Sequence, residues 1–192
     1  PLFNGTFTFD GWFWFRSVSA AEKCLVSQNE VYLSLKNSIL SLTCGTEVVG
    51  NTALTTNRWY HVAIVRSGAT AKVYLDGVLE ITHSAYSDPT WGNVYLGQRS
   101  GSNFFPGLMD AIRVRSETSW TANFTPPTQS DYILDPYFDD VVMLVRGDTP
   151  AAMAYDSMPA KTALQYRFFG FNGTQTPISG NDADPYQGFT AI

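Results

Sequence analysis

Apolar and polar residues alternate with a period of two along much of the first two-thirds of this chain, the spacing of β-strands that bury one face. The run 6–16 sets Phe7, Phe9, Gly11, Phe13 and Phe15 on one side and Thr8, Asp10, Trp12, Trp14 and Arg16 on the other. Its second half is apolar on both sides, which predicts a strand entering the middle of a sheet. Residues 58–66 follow suit, with Trp59, His61, Ala63 and Val65 alternating with Tyr60, Val62, Ile64 and Arg66. Turn-forming Ser67-Gly68-Ala69-Thr70 separates this run from residues 72–75, so a hairpin is predicted. Asp76-Gly77 then predicts a tight turn into a third strand over 78–81.

The segment 22–45 reads as a meander of strands 24–27, 31–36 and 39–44, turning at Gln28-Asn29-Glu30 and at Asn37-Ser38. That register puts Cys24 opposite Ser34 and Cys44 opposite Val31. The two thiols then lie about two strand spacings (~9.5 Å) apart, beyond the ~7 Å Cα separation a disulfide tolerates. Two free cysteines are expected, which suits assembly in a reducing cytoplasm better than oxidative export. Residues 46–57 read as a polar loop and 86–92 as a loop with an aromatic at each end. A short strand follows at 94–97, then a Gly/Ser loop over 99–103. The strand over 108–115 is expected to place Leu108, Asp110, Ile112 and Val114 on one face. Residues 119–124 read as a short turn closing against the sheet. No amphipathic helix is visible, and the chain is all-β.

Composition narrows the partners. Charged residues make up only 15% of the 192 and aromatics as much again, so the chain carries either a large core or much surface meant for contact. A net charge of −5 disfavours nucleic acid, which needs a basic face. No apolar run approaches the ~20 residues of a membrane span, so no membrane insertion is expected. No signal peptide is visible and the chain opens on Pro1 rather than Met, which predicts a processed product or a fragment.

The pattern W-x-H-V-A-x-x-R over 59–66, then K-x-Y-x-D-G over 72–77, resembles the laminin-G/pentraxin-like branch of the concanavalin-type jelly rolls. Leu96-Gly97 and the run from Phe105 to Val114 (F-P-G-L-M-D-A-I-R-V) resemble another segment of that family, and the likeness covers residues 7–127. It implies a sandwich of two antiparallel sheets, with an irregular C-terminal extension carrying one strand. In that family a strand like 6–16 follows an opening strand; here only residues 1–5 precede it. Beyond the Pro-rich stretch, Asp135-Pro136-Tyr137-Phe138, Gly147-Asp148 and Asp156-Ser157 resemble the start of a following copy in phage virion proteins. The expected organisation is a jelly roll over 1–127, a linker over 128–136 and an arm over 137–192. Within the arm Val141, Val142, Met143, Leu144 and Val145 form a strand that completes the sandwich, in cis or in a neighbouring chain.

This family's fold hosts lectins, adhesins, enzymes and spacers, so function rests on sites. Concanavalin-type glucanases use E-x-D-x-x-E to set acid and nucleophile about the glycosidic bond. The five glutamates here, Glu22, Glu30, Glu47, Glu80 and Glu117, never stand in that spacing. No G-x-S-x-G is present, and His61 reads as a hydrogen-bonded structural residue, so no enzyme is expected. The only cofactor the resemblance suggests is calcium, with Asp76, Asp88 and Asp110 as candidate oxygen ligands. For glycan binding the candidates are Tyr86, Trp91, Asn93, Asn103, Phe104 and Trp120, which supply stacking rings and amides near loops. The expected role is a structural or decoration protein on a phage virion surface, assembled in the host cytoplasm and contacting other virion subunits or copies of itself. The alternative is a carbohydrate-binding adhesion module on a virion or bacterial surface, meeting host glycan outside the cell.

Overall fold

The computed structural model describes residues 3–19, 21–90 and 92–128, together with the backbone of 141–145. Among these residues it is all-β, two antiparallel sheets facing each other. The strands are β1 (Phe7–Phe15), β2 (Lys23–Gln28), β3 (Val31–Lys36), β4 (Ile39–Cys44), β5 (Thr46–Ala53) and β6 (Trp59–Ser67). They continue as β7 (Thr70–Leu75), β8 (Val78–His83), β9 (Val94–Leu96), β10 (Gly107–Arg115) and β11 (Val141–Val145). One sheet has six strands in the order β11-β10-β1-β6-β7-β8, and the other five, β5-β4-β3-β2-β9.

Alternation builds the interior as expected. Phe7, Phe9, Phe13 and Phe15 of β1 meet Leu33, Leu35, Leu40 and Leu42 from the opposite sheet in one core, with Tyr60, Val62 and Ile64 beside them. Fully burying side chains of this size contributes about 1.5–3 kcal/mol each. The meander register holds: Cys24 pairs with Ser34 and Val31 with Cys44. Both cysteines are free and buried, and burial pushes the Cys24 thiol up to about 12, which keeps it protonated and unreactive.

Two expectations fail, each for a local reason. Residues 46–53 are strand, not loop: β5, mostly exposed, pairs with β4 over Thr46–Val49 and again at Ala53. In this mostly polar edge strand Val48 is the one side chain packed against the core, too little to show as a period. Between those pairs Glu80 of β8 reaches in, its carboxylate accepting from the Asn51 and Thr52 N–H groups and from the Thr52 hydroxyl. The second failure lies in β10. Ala111 has φ 49°, and the register against β1 slips there, with Asp10 opposite Arg113 but Trp12 opposite Asp110. This β-bulge puts two residues against Gly11 and reverses the facing beyond it. Ile112 and Val114 therefore enter the core, whereas Leu108 turns outward. A Cβ on Gly11 would lie 2.4 Å from Ile112 Cδ1 and 3.3 Å from its Cα, so glycine here leaves Ile112 its place in the core.

Residues 116–128 cross the outer face of the six-stranded sheet as a strap. Thr8 donates its hydroxyl to the Glu117 carbonyl and Trp12 its indole N–H to the Pro127 carbonyl. The Phe124 N–H meets the Gly77 carbonyl at 2.9 Å, and Trp120 and Phe124 cover Ala63, Val65 and Tyr74. That second apolar layer explains why both sides of β6 are hydrophobic. At the far edge β11 pairs antiparallel with β10, Ile112 opposite Val145 and Val114 opposite Met143.

Gly77 is where strap and sheet come closest. Its φ is +79°, and a Cβ there would stand 1.9 Å from the Phe124 carbonyl oxygen. Gly77→Ala is expected to destabilise by about 3 kcal/mol, lowering the melting temperature by roughly 6–12 °C in calorimetry. Gly68→Ala, with a similar φ of +59° but open space around it, is expected to cost about 1 kcal/mol.

Candidate functional site

Beneath the strap lies a buried charge cluster. Asp10 has no exposed surface, and Arg113 binds it in a fork, Nε to Oδ1 at 3.1 Å and Nη2 to Oδ2 at 2.9 Å. His61 Nε2 stands 3.3 Å from the same Oδ2, and Arg115 adds a second guanidinium at 3.9 Å. Burial pushes the Asp10 carboxyl up. The His61 hydrogen bond and the Arg113 charge outweigh it and hold the group below the usual carboxylate range. The edges of Trp12, Trp120 and Phe124 close round the imidazole. A carboxylate, an imidazole and two guanidiniums sealed from solvent stitch β10, β1 and β6 together, with no opening for a substrate.

The candidate glycan residues do not converge. Tyr86 is buried at 4% exposure, its hydroxyl donating to the Phe3 carbonyl and its ring covered by Arg66, so it is a wall of the core and not a platform. Trp120 lies flat on Phe124 at 3.9 Å over the sheet and is spent as part of the strap. Asn103 adopts φ 53° in a turn and donates to Glu22 at 2.5 Å. Asn93 is exposed, with its amide 3.5 Å from the Tyr95 hydroxyl. Phe104 is 62% exposed, and Trp91 lies outside the described residues.

The calcium candidates are dispersed as well. Asp76 binds Arg58 at 2.6 Å and accepts the His61 N–H at 2.9 Å. Asp88 pairs with Arg66 and accepts the Gly5 N–H. Asp110 accepts the N–H of its own neighbour Ala111 at 2.7 Å, pinning the bulge. Among the described residues no three His, Cys, Asp or Glu side chains are placed to hold a metal ion. These carboxylates close turns and a bulge instead.

What the structure does assemble is an apolar row, exposed at its two ends and half-buried at its middle, Trp14. Trp14 stands opposite Leu108 on β10 and opposite Trp59 on β6, so Leu108, Trp14 and Trp59 run across three strands on the outer face. Trp59 is 40% and Leu108 50% exposed. Beside them opens a cleft of about 410 Å³ lined by Trp59, Gly97, Phe105, Gly107, Leu108, Met109 and Asp110. Among the described residues the strap covers the neighbouring rows and stops short of this one. A large apolar residue at matching positions of three strands, on the face that should be polar, was the available signal.

A family model for the concanavalin A-like lectin/glucanases superfamily matches residues 1–120. Among solved structures the chain is similar to a protein of Bacteroides ovatus ATCC 8483 described as a candidate carbohydrate binding protein. The TM-score is 0.57 at 16% identity, covering 76% of this chain and 47% of that one. It is also similar to Trypanosoma rangeli sialidase in complex with 2,3-difluorosialic acid, with a TM-score of 0.52 at 14% identity, covering 59% of this chain and 21% of that one. At these identities the likeness is one of fold, and the chain spans about half of the first protein and a fifth of the second. No curated protein matches.

Asp10 sets a pH dependence of stability. Its folded pKa is depressed, so its stabilisation is present above the unfolded value of ~3.9 and is lost as pH falls through the lower folded value. Asp10→Asn is expected to cost about 3 kcal/mol at neutral pH. It should also make the loss of stability below about pH 4 shallower, as read by urea melts across pH.

Proposed function

We propose that this chain, which belongs to the concanavalin A-like lectin/glucanases superfamily, is a non-catalytic carbohydrate-binding module. The observation that carries this reading is the Trp59–Trp14–Leu108 row, exposed at Trp59 and Leu108, with its adjoining cleft. Sugar rings present C–H groups on their faces and hydroxyls on their rims, so a flat indole takes the face. An exposed apolar patch on a low-charge chain fits a contact surface. The Bacteroides ovatus neighbour, by its description, supports the same general kind. The glucanase carboxylate pair is absent from the sequence, and the buried acid Asp10 is engaged by Arg113 and His61, which argues for binding without turnover. Such a module works at a cell or particle surface, where glycans are found.

A second reading, a subunit of a phage particle, has one supporting observation. β11 joins the sheet at the β10 edge, far along the chain from the strands it extends. An edge strand of that kind is one that a neighbouring copy can supply in exchange.

The first reading is tested by a glycan array and titration calorimetry on the purified chain. Saturable binding is expected, weakened at least tenfold by Trp59→Ala; silence across the array would count against it. The second is tested by deleting residues 137–192. Aggregation or altered oligomeric state in light scattering is expected, and a truncated protein as monodisperse as the parent would remove its support.

A further inference from the structure

Resting on the glycan-binding reading, we infer that the Leu108–Trp14–Trp59 row takes an internal stretch of a neutral, extended polysaccharide built of equatorially linked pyranoses, and not a terminal sugar. Three observations lead there. The row crosses β10, β1 and β6, so it spans two strand spacings, ~9.5 Å, longer than a single pyranose ring is wide. Its exposed members are flat or apolar side chains held on a sheet, the most rigid support the fold offers. Equatorial linkages keep successive rings in one ribbon and present their C–H faces side by side, which fits such a row. Axial linkages wind the chain and lift every other ring away.

Polar groups are scarce at the site. A pocket for a terminal sugar needs several converging donors and acceptors. Among the residues lining the cleft only Asp110 and the Trp59 indole carry polar side-chain atoms. Binding must then come from stacked area, which accumulates ring by ring. Charge selects further. Among the described residues Asp110 is the one charged side chain lining the cleft, and the whole chain carries −5. Uronic, sialylated or sulfated chains meet like charge at both levels, whereas a neutral ribbon does not.

The experiment is calorimetric titration of the full chain with cello-oligosaccharides of one to six units, with malto-oligosaccharides and oligogalacturonates as contrasts. Affinity is expected to rise at least tenfold from the disaccharide to the hexasaccharide, with the α-linked and acidic series at least tenfold weaker. Trp59→Ala and Leu108→Ala should each remove most of that gain, while Trp59→Phe keeps part of it; both positions are exposed, and a thermal melt checks each variant's fold. Equal affinity for glucose and the hexasaccharide, or preference for the acidic or α-linked series, would overturn this inference and leave the general binding reading standing. Length-dependent binding untouched by Trp59→Ala would place the site elsewhere and overturn it too. No binding to any glycan, on the array or in titration, would overturn both.

Discussion

The structure depends on neutralising one carboxylate. Asp10 sits in the middle strand of the larger sheet with no access to water, and a lone charge there would cost several kcal/mol. Arg113 from one neighbouring strand and His61 from the other meet it, so three strands must hold a common register for the charge to be tolerated. Arg113 reaches its place opposite Asp10 only because the Ala111 bulge inserts one residue into β10. Gly11 in turn leaves Ile112, beside the bulge, its place in the core. The strap then closes over the cluster with Trp120 and Phe124. Bulge, glycine and strap all meet at that ion pair.

Much of this was legible in the residues, where a buried face imposes a period. The β1 phenylalanines, both sides of β6, the meander and the free cysteines all read correctly, since a slip of one residue would have turned core side chains to water. The motif resemblance added the two-sheet architecture, which the family match supports. The β5 strand escaped notice because a mostly exposed edge has too little of an apolar side to reveal it. The facing of Leu108 and Asp110 was misread because a bulge shifts phase without any change in alternation before it. Nothing in the string Met109-Asp110-Ala111-Ile112 announces a left-handed alanine.

The candidate site was harder to read, and for a different reason. Loop aromatics were favoured as platforms, yet Tyr86 and Trp120 are absorbed into packing, while the exposed indole belongs to a strand. Trp59 shares its face with His61, Ala63 and Val65, which the strap buries. Pattern alone does not tell where a covering segment stops, and among the described residues it stops one row short of Trp59. The cleft is thus defined by what the strap leaves bare, a property of tertiary path and not of spacing.

The Glu80 carboxylate has a bearing on how molecules of this kind stand beside one another. By reaching from β8 to the Asn51 and Thr52 amides of β5, it satisfies two backbone donors of the strand at the end of the smaller sheet. A neighbour approaching along β5 meets backbone that is already partly engaged.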